Sequence, residues 1–202
     1  MAGELSFEQL LARHAGGDEL RRLVRYAVLL ERWSGAHNLV SWKSREELVE
    51  RHLLDALAAR ALLGERGRLL DVGSGAGLPG IPLLAVRPAW RGVLLEPRQK
   101  RWAFLRLVIR ELDLQVRAVQ QRYQEYGSAE GSFDVVTARA LGGHGALLAW
   151  ARNRLSDGGC VLLRVTGDVE RELEEQPGWR VLSSPLPGME RGRLVQMVPC
   201  FT

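Results

Sequence analysis

The chain has 202 residues, 46% of them hydrophobic, which is room for one good core with a small extension. The formal net charge is +4, and lysine occurs only at Lys43 and Lys100, so the positive charge is almost all arginine. That balance is compatible with a phosphate-rich partner. No stretch approaches about 18 uncharged apolar residues, so no membrane span is expected. The first residues, Met-Ala-Gly-Glu-Leu-Ser-Phe-Glu, lack a basic and then apolar run, so no secretory signal is expected. Cys160 and Cys200 are the only cysteines. Neither has metal-ligand spacing around it, no metal is expected, and a reducing cytoplasm is the simplest compartment.

Taken in chain order, residues 5 to about 60 are expected to be wholly helical. Leu20, Leu23, Val24, Ala27, Val28 and Leu30 recur at helical spacing, and Ser34-Gly35 is the expected stop. A second helix is expected over 46–62, with Leu48, Leu53, Leu54, Leu57 and Ala58 inward, and 64–67 as the link to a sheet. Strands then alternate with helices. Strands are expected near 68–73, 92–96, 115–119, 133–138 and 159–165, and helices near 79–87, 98–112, 143–154 and 168–175. Alternation predicts a parallel sheet covered on both faces by right-handed crossovers. Arg180-Val181-Leu182 and Leu194 to Val198 follow with only the turn-rich Pro185-Leu186-Pro187-Gly188 between them, which predicts an antiparallel hairpin at the sheet edge.

The chemistry starts at Asp71 to Gly80, Asp-Val-Gly-Ser-Gly-Ala-Gly-Leu-Pro-Gly. A strand runs into alternating glycines, Gly73, Gly75 and Gly77, and then into a helix. This is the layout of a nucleotide-binding crossover, with backbone stripped of side chains where a ligand lies close. The dinucleotide fingerprint Gly-x-Gly-x-x-Gly seats a pyrophosphate. Here the spacing is Gly-x-Gly-x-Gly, and Asp71 precedes it. A carboxylate disfavours a pyrophosphate and favours a cation, which tilts the reading from a nicotinamide cofactor to S-adenosylmethionine. Glu96 closes the next strand, 19 residues beyond Gly77, where a carboxylate can accept from both ribose hydroxyls. The plainer alternative is an ordinary tight turn and a solvated surface acid.

With its Leu-Pro-Gly-Ile-Pro extension, the stretch 71–83 resembles the signature of the ribosomal RNA small-subunit methyltransferase G family, also called glucose-inhibited division protein B. Trp33, His37-Asn38-Leu39, Arg51-His52-Leu53-Leu54-Asp55, Lys100-Arg101, Phe104-Leu105 and Ala138-Arg139-Ala140 agree with it. The similarity covers roughly residues 20–198. It implies a Rossmann-like class I methyltransferase, an α/β fold with a mostly parallel sheet and an antiparallel C-terminal hairpin. Residues 1–64 would form a helical N-terminal extension, and 65–202 the S-adenosylmethionine-binding domain. It also implies methyl transfer to N7 of one guanine, position 527 by bacterial convention, in 16S rRNA. By the same resemblance Gly73 and Leu78 line the cofactor, Tyr123-Gln124 cradle the adenine through backbone groups, Glu96 binds ribose and Arg139 reaches into the site. The partner implied is 16S rRNA or the small ribosomal subunit, and a monomer is expected.

The chain departs from the family pattern twice. Thr166, in Arg164-Val165-Thr166-Gly167, stands where a lysine is usual, and Val40 where a threonine is usual. Arg164 shares a strand face with Thr166 and is the candidate substitute for the missing charge.

Guanine N7 bears a lone pair, so its methylation needs no general base and the work is positional. Arg139 offers a fork of donors to O6, to a phosphate or to the cofactor's methionine end; the plain alternative is a structural pair with Asp134 or Asp71. Asp55 is a candidate to stabilise the cationic product, with His52 three residues away on the same helical face. The plain alternative there is a helix-surface pair that docks the extension. His52, Lys100, Arg101 and Thr166 are the candidate RNA contacts, and Trp42 is the best-placed ring to stack on a base. Three other readings stand beside this one. They are a same-fold methyltransferase of a small molecule or protein, a catalytically silent RNA-binding assembly module, and, least favoured by the glycine spacing, a nicotinamide-dependent oxidoreductase.

Overall fold

The structure is a computed structural model, and it describes residues 4–127, 131–139, 141–186 and 192–200. Two helices open it, α1 (Phe7–Leu11) and α2 (Gly17–His37). A broken helical segment follows: α3 (Arg45–Leu48), a π-helical turn (Val49–Leu54), α4 (Asp55–Leu57) and a 3-10 turn (Ala58–Leu62). The α/β part then runs β1 (Gly67–Val72), α5 (Gly80–Ala85), β2 (Trp90–Leu95), α6 (Gln99–Glu111), β3 (Val116–Val119), β4 (Phe133–Arg139), α7 (His144–Arg152), β5 (Leu155–Thr166) and α8 (Gly167–Glu174). It closes with β6 (Trp179–Pro185) and β7 (Gly192–Pro199).

The seven strands lie in the order β3–β2–β1–β4–β5–β7–β6. The first five are parallel, β7 is antiparallel to β5, and β6 is antiparallel to β7. The expected parallel sheet and terminal hairpin are therefore present. Of the turn expected between the hairpin strands, Pro187-Gly188 lies outside the described residues, as does Ala140 after β4. The strand order reverses between β1 and β4, which is where an open α/β sheet leaves a crevice at its carboxyl edge.

Strand alternation divides the core. Leu69, Leu94, Val135 and Leu162 face the side covered by the N-terminal helices, α5 and α6. Leu70, Val93, Val136 and Val161 face α7 and α8. The N-terminal helices share the first core outright. Leu23, Tyr26, Leu30 and Leu53 are fully buried in it, each worth roughly 1.5–3 kcal/mol of apolar burial.

Two helix expectations need correcting. Ser34-Gly35 does not stop α2, which runs to His37 and closes at Asn38, a left-handed residue with φ 48° whose N–H donates to Ser34 O at 3.0 Å. A mid-helix glycine costs only about 1 kcal/mol. Burial of Leu29 and Leu30 on the same helix and the Trp33–Phe104 ring contact, 5.5 Å between centroids, outweigh that. Nor is 46–62 one regular helix; it loosens into the π turn and tightens into the 3-10 turn. Such irregular turns inside helices occur often at functional sites.

Candidate active site

Beyond Val72 the chain bends through seven residues before α5. φ is 69° at Gly73 and 57° at Gly75, values a glycine adopts without a Cβ clash. β2 clamps the bend: Ser74 N–H donates to Leu95 O and Gly75 N–H to Glu96 Oε2, both at 2.9 Å. From α2, the buried Tyr26 hydroxyl donates to Ala76 O at 2.8 Å. Segments distant in sequence thus hold a bare backbone beside a cavity of about 440 Å³, bordered by Gly73, Gly75, Leu78, Glu96 and Arg139. That volume is in the usual small-molecule range of roughly 300–1,000 Å³.

The two acids of the sequence pattern sit differently. Glu96 is buried at the cavity wall, and its Oε1 accepts from Arg98 N–H at 2.8 Å. A carboxylate has about four acceptor positions, so the two backbone donors leave two for a ligand. Asp71 does not border the cavity. It is fully buried beneath the bend, where Oδ2 accepts from Gly80 N–H at 3.3 Å and its main-chain oxygen accepts from Ser74 Oγ at 3.0 Å. Burial pushes its carboxyl up to about 7, against the pull of those donors and of Arg139. The expectation that Asp71 attracts a cationic ligand by contact is corrected accordingly; it ties the end of β1 to the start of α5.

Arg139 and Arg164 lie opposite each other at the ends of β4 and β5. Arg164 is in ion-pair contact with Asp55, and both side chains are almost wholly buried. Burial pushes Asp55 up, and the two guanidiniums draw it back. Arg139 instead donates Nη2–H to His52 Nδ1 at 2.7 Å. Burial first, and then Arg139, hold the His52 pKa down to about 4, so its ring is neutral near pH 7.

The family model for rRNA small subunit methyltransferase G matches residues 19–183. The chain belongs to this family. Its relatives include the ribosomal RNA small subunit methyltransferase G of Methylococcus capsulatus, 39% identical over 194 residues and covering 94% of both chains. That of Sodalis glossinidius is 41% identical over 168 residues, or 80% of this chain and 79% of the relative. Among solved structures, a methyltransferase from Geobacter sulfurreducens matches with a TM-score of 0.62 and 14% identity, over 94% of this chain and 95% of that one. Fibrillarin of Aeropyrum pernix, solved with S-adenosyl-L-methionine, matches with a TM-score of 0.58 and 19% identity, over 72% and 76%. At such identities these two establish the class I methyltransferase fold alone.

Set against the family motifs, the structure gathers Gly73, Gly75, Leu78, Glu96, Arg101, Tyr123, Gln124 and Arg139 around one cavity. Tyr123 and Gln124 stand on a 3-10 turn after β3. Other expected residues fall elsewhere. Gly77 lies behind the bend with φ 92°, where a Cβ would come within 2.5 Å of Ile81 Cγ1. Asp55 is engaged by Arg164 instead of pairing with His52, and Arg164, being buried there, does not replace the family's lysine. His52 holds Arg139 and Ser41 instead of facing outward. Arg139 pairs directly with neither Asp134 nor Asp71; Asp134 accepts from Arg68 N–H and Ser156 Oγ. Lys100 is exposed outside the cavity wall, and Thr166 borders a separate depression beside Glu170 and Arg193. Trp42, the ring expected to stack on a base, is half-buried against the first core.

The sequence alone singles out neither Leu39 and Val40, which border the cavity straight after the left-handed Asn38, nor Leu141, Gln121 and Arg122. The one legible signal for the first pair is the family triplet at 38–40. Among the described residues, no group of three or more metal-ligating side chains comes together, and no helix is long and apolar enough to cross a membrane.

Proposed function

We propose that the chain transfers a methyl group from S-adenosylmethionine to N7 of a guanine, position 527 by bacterial convention, in 16S rRNA. Family membership carries the coarser statement, an S-adenosylmethionine-dependent methyltransferase of small-subunit ribosomal RNA. The observation that supports the cofactor is the bare bend with a buried carboxylate at its edge. Glu96 has acceptor capacity left for two ribose hydroxyls, and Gly73 and Gly75 let backbone lie flat against a ligand. When bound, S-adenosylmethionine supplies an electrophilic methyl on a positively charged sulfur. Leu39, Val40 and Leu141 give the cavity apolar walls that exclude water. Tyr123-Gln124 offer backbone groups to an adenine edge.

No residue need take a proton. Guanine N7 has a free lone pair in the duplex and out of it. His52 has both ring nitrogens engaged, so it is not poised as a base. Alignment can lower the barrier by about 7–11 kcal/mol at its upper limit. Arg98, Arg101 and Arg122 border the cavity, where they suit the phosphates of an rRNA strand. The deciding experiment maps modified guanines by mass spectrometry in rRNA from cells with and without the gene. One 7-methylguanine in 16S rRNA should vanish with the gene; an unchanged map would count against this function.

A further inference from the structure

The π turn and the start of α4 bring two unlike side chains to two like ones. Arg139 and Arg164 are register partners on adjacent strands, so their guanidiniums share a poorly hydrated region where like charges repel. Asp55 gives Arg164 a carboxylate. His52, three residues earlier, gives Arg139 an imidazole. Its Nε2 lies 3.3 Å from Ser41 O. A carbonyl oxygen only accepts, so Nε2 carries the ring proton and Nδ1 presents a lone pair to Arg139. Asp55 and Asp71 act on Arg139 from a distance; among the described residues no carboxylate pairs with it directly. Its Nη1 is buried without a hydrogen-bond partner among those residues, and the side chain borders the cavity. A buried donor left unpaired is costly unless a ligand completes it.

We propose that His52 is a positioning residue: it fixes the guanidinium of Arg139 without cancelling its charge, so that Nη1 meets an electronegative oxygen of the substrate, guanine O6 or a phosphate. This rests on the rRNA methyltransferase reading above. The extension thereby sorts two adjacent arginines into different tasks. Arg164 is neutralised and structural, and Arg139 is held but still cationic.

The test compares His52→Asn, His52→Asp and His52→Leu in the full chain. Asparagine keeps a neutral acceptor near the Nδ1 position, aspartate adds a charge that neutralises Arg139, and leucine removes the acceptor. Steady-state methylation of small subunits lacking the modification gives kcat and KM, calorimetry with S-adenosylhomocysteine gives cofactor affinity, and thermal unfolding checks the fold. We expect His52→Asn within about threefold of wild type in kcat, with His52→Asp and His52→Leu down by roughly 10- to 100-fold. Cofactor affinity should move by less than about threefold in all three. Equal activity of the aspartate and asparagine variants would overturn the role of charge, and a leucine variant with wild-type kcat and KM would overturn positioning. A large loss of cofactor affinity would instead assign Nη1 to the cofactor's carboxylate. Should a variant fail to fold, 15N spectroscopy of wild-type His52 still decides. A neutral ring protonated at Nε2 down to about pH 5 supports the proposal, and a cationic ring at about pH 6 refutes it. If wild type binds cofactor yet methylates no small subunit, the function reading fails while the spectroscopic result on His52 still stands.

Discussion

Asp71 and His52 tie stability to pH in opposite senses. The Asp71 carboxyl rises from 3.8 to about 7, chiefly through burial. Over that span the folded chain keeps a proton that the unfolded chain has released, so this contribution to stability falls as pH climbs and levels off above about 7. His52 drops from 6.5 to about 4, chiefly through burial, with Arg139 and Arg164 adding to the drop while the Ser41 carbonyl and Glu47 oppose it. Its contribution is present above 6.5 and is lost as pH falls towards about 4. Between those limits the slopes offset. Asp71→Asn removes one of them while keeping an acceptor for Gly80. Urea unfolding should find that variant stabilised on the order of 1–3 kcal/mol near pH 8 relative to wild type, with a gain less than half as large near pH 5. Gly73 and Gly77 make a second contrast. An alanine at 77 meets Ile81 and Leu105, and should cost about 2–4 kcal/mol in denaturant unfolding. At 73 the nearest side-chain atom is Leu141 Cδ1 at 3.6 Å, so Gly73→Ala meets no clash and should cost about 1–2 kcal/mol of stability, from the left-handed backbone alone. Calorimetry should find the larger effect of Gly73→Ala in cofactor affinity.

Between elements, the glycine bend depends on supports that belong to neither β1 nor α5. β2 supplies Leu95 O and Glu96, and α2 supplies Tyr26. Tyr26→Phe removes the hydroxyl and leaves Ala76 O without its donor. The expected cost is about 1–3 kcal/mol of stability by chemical denaturation, with weaker cofactor binding because the bend loses its brace. Unchanged affinity would detach α2 from the site. This support was not legible in the sequence, where Tyr26 is not among the positions that helical spacing singles out. Strands β1, β2 and β4 were legible because both faces of each are covered and their apolar runs are short and bounded. The break in 46–62 was not. Hydrophobic spacing reports which face is buried, and a π or 3-10 turn shifts that spacing by less than the pattern's own scatter. Asp55 shows the same blindness. Its place beside His52 could be read, but the arginine it meets lies more than a hundred residues further along the chain.

For the whole molecule, one apolar core joins residues before 65 to those after it, through Leu23, Tyr26, Leu30 and Leu53 against Ile81, Phe104 and Leu105. Arg22 also donates from α2 to Ala85 O at 2.8 Å. We therefore expect a fragment of 65–202 to aggregate or to remain without cooperative unfolding, since cutting there bares a large apolar face. A soluble fragment with a sharp thermal transition would show the division at 64 to be a true domain boundary. The amino-acid sequence by itself determined the order of strands and helices, the glycine bend, Glu96 and the family. Each of these is written in local spacing or in a contiguous motif. The tertiary structure alone decided that Asp71 lies under the bend, that Asp55 belongs to Arg164, and that a neutral His52 holds Arg139. The reason is physical: burial and charge pairing are set by whichever groups the fold packs together, and those groups come from distant parts of the chain.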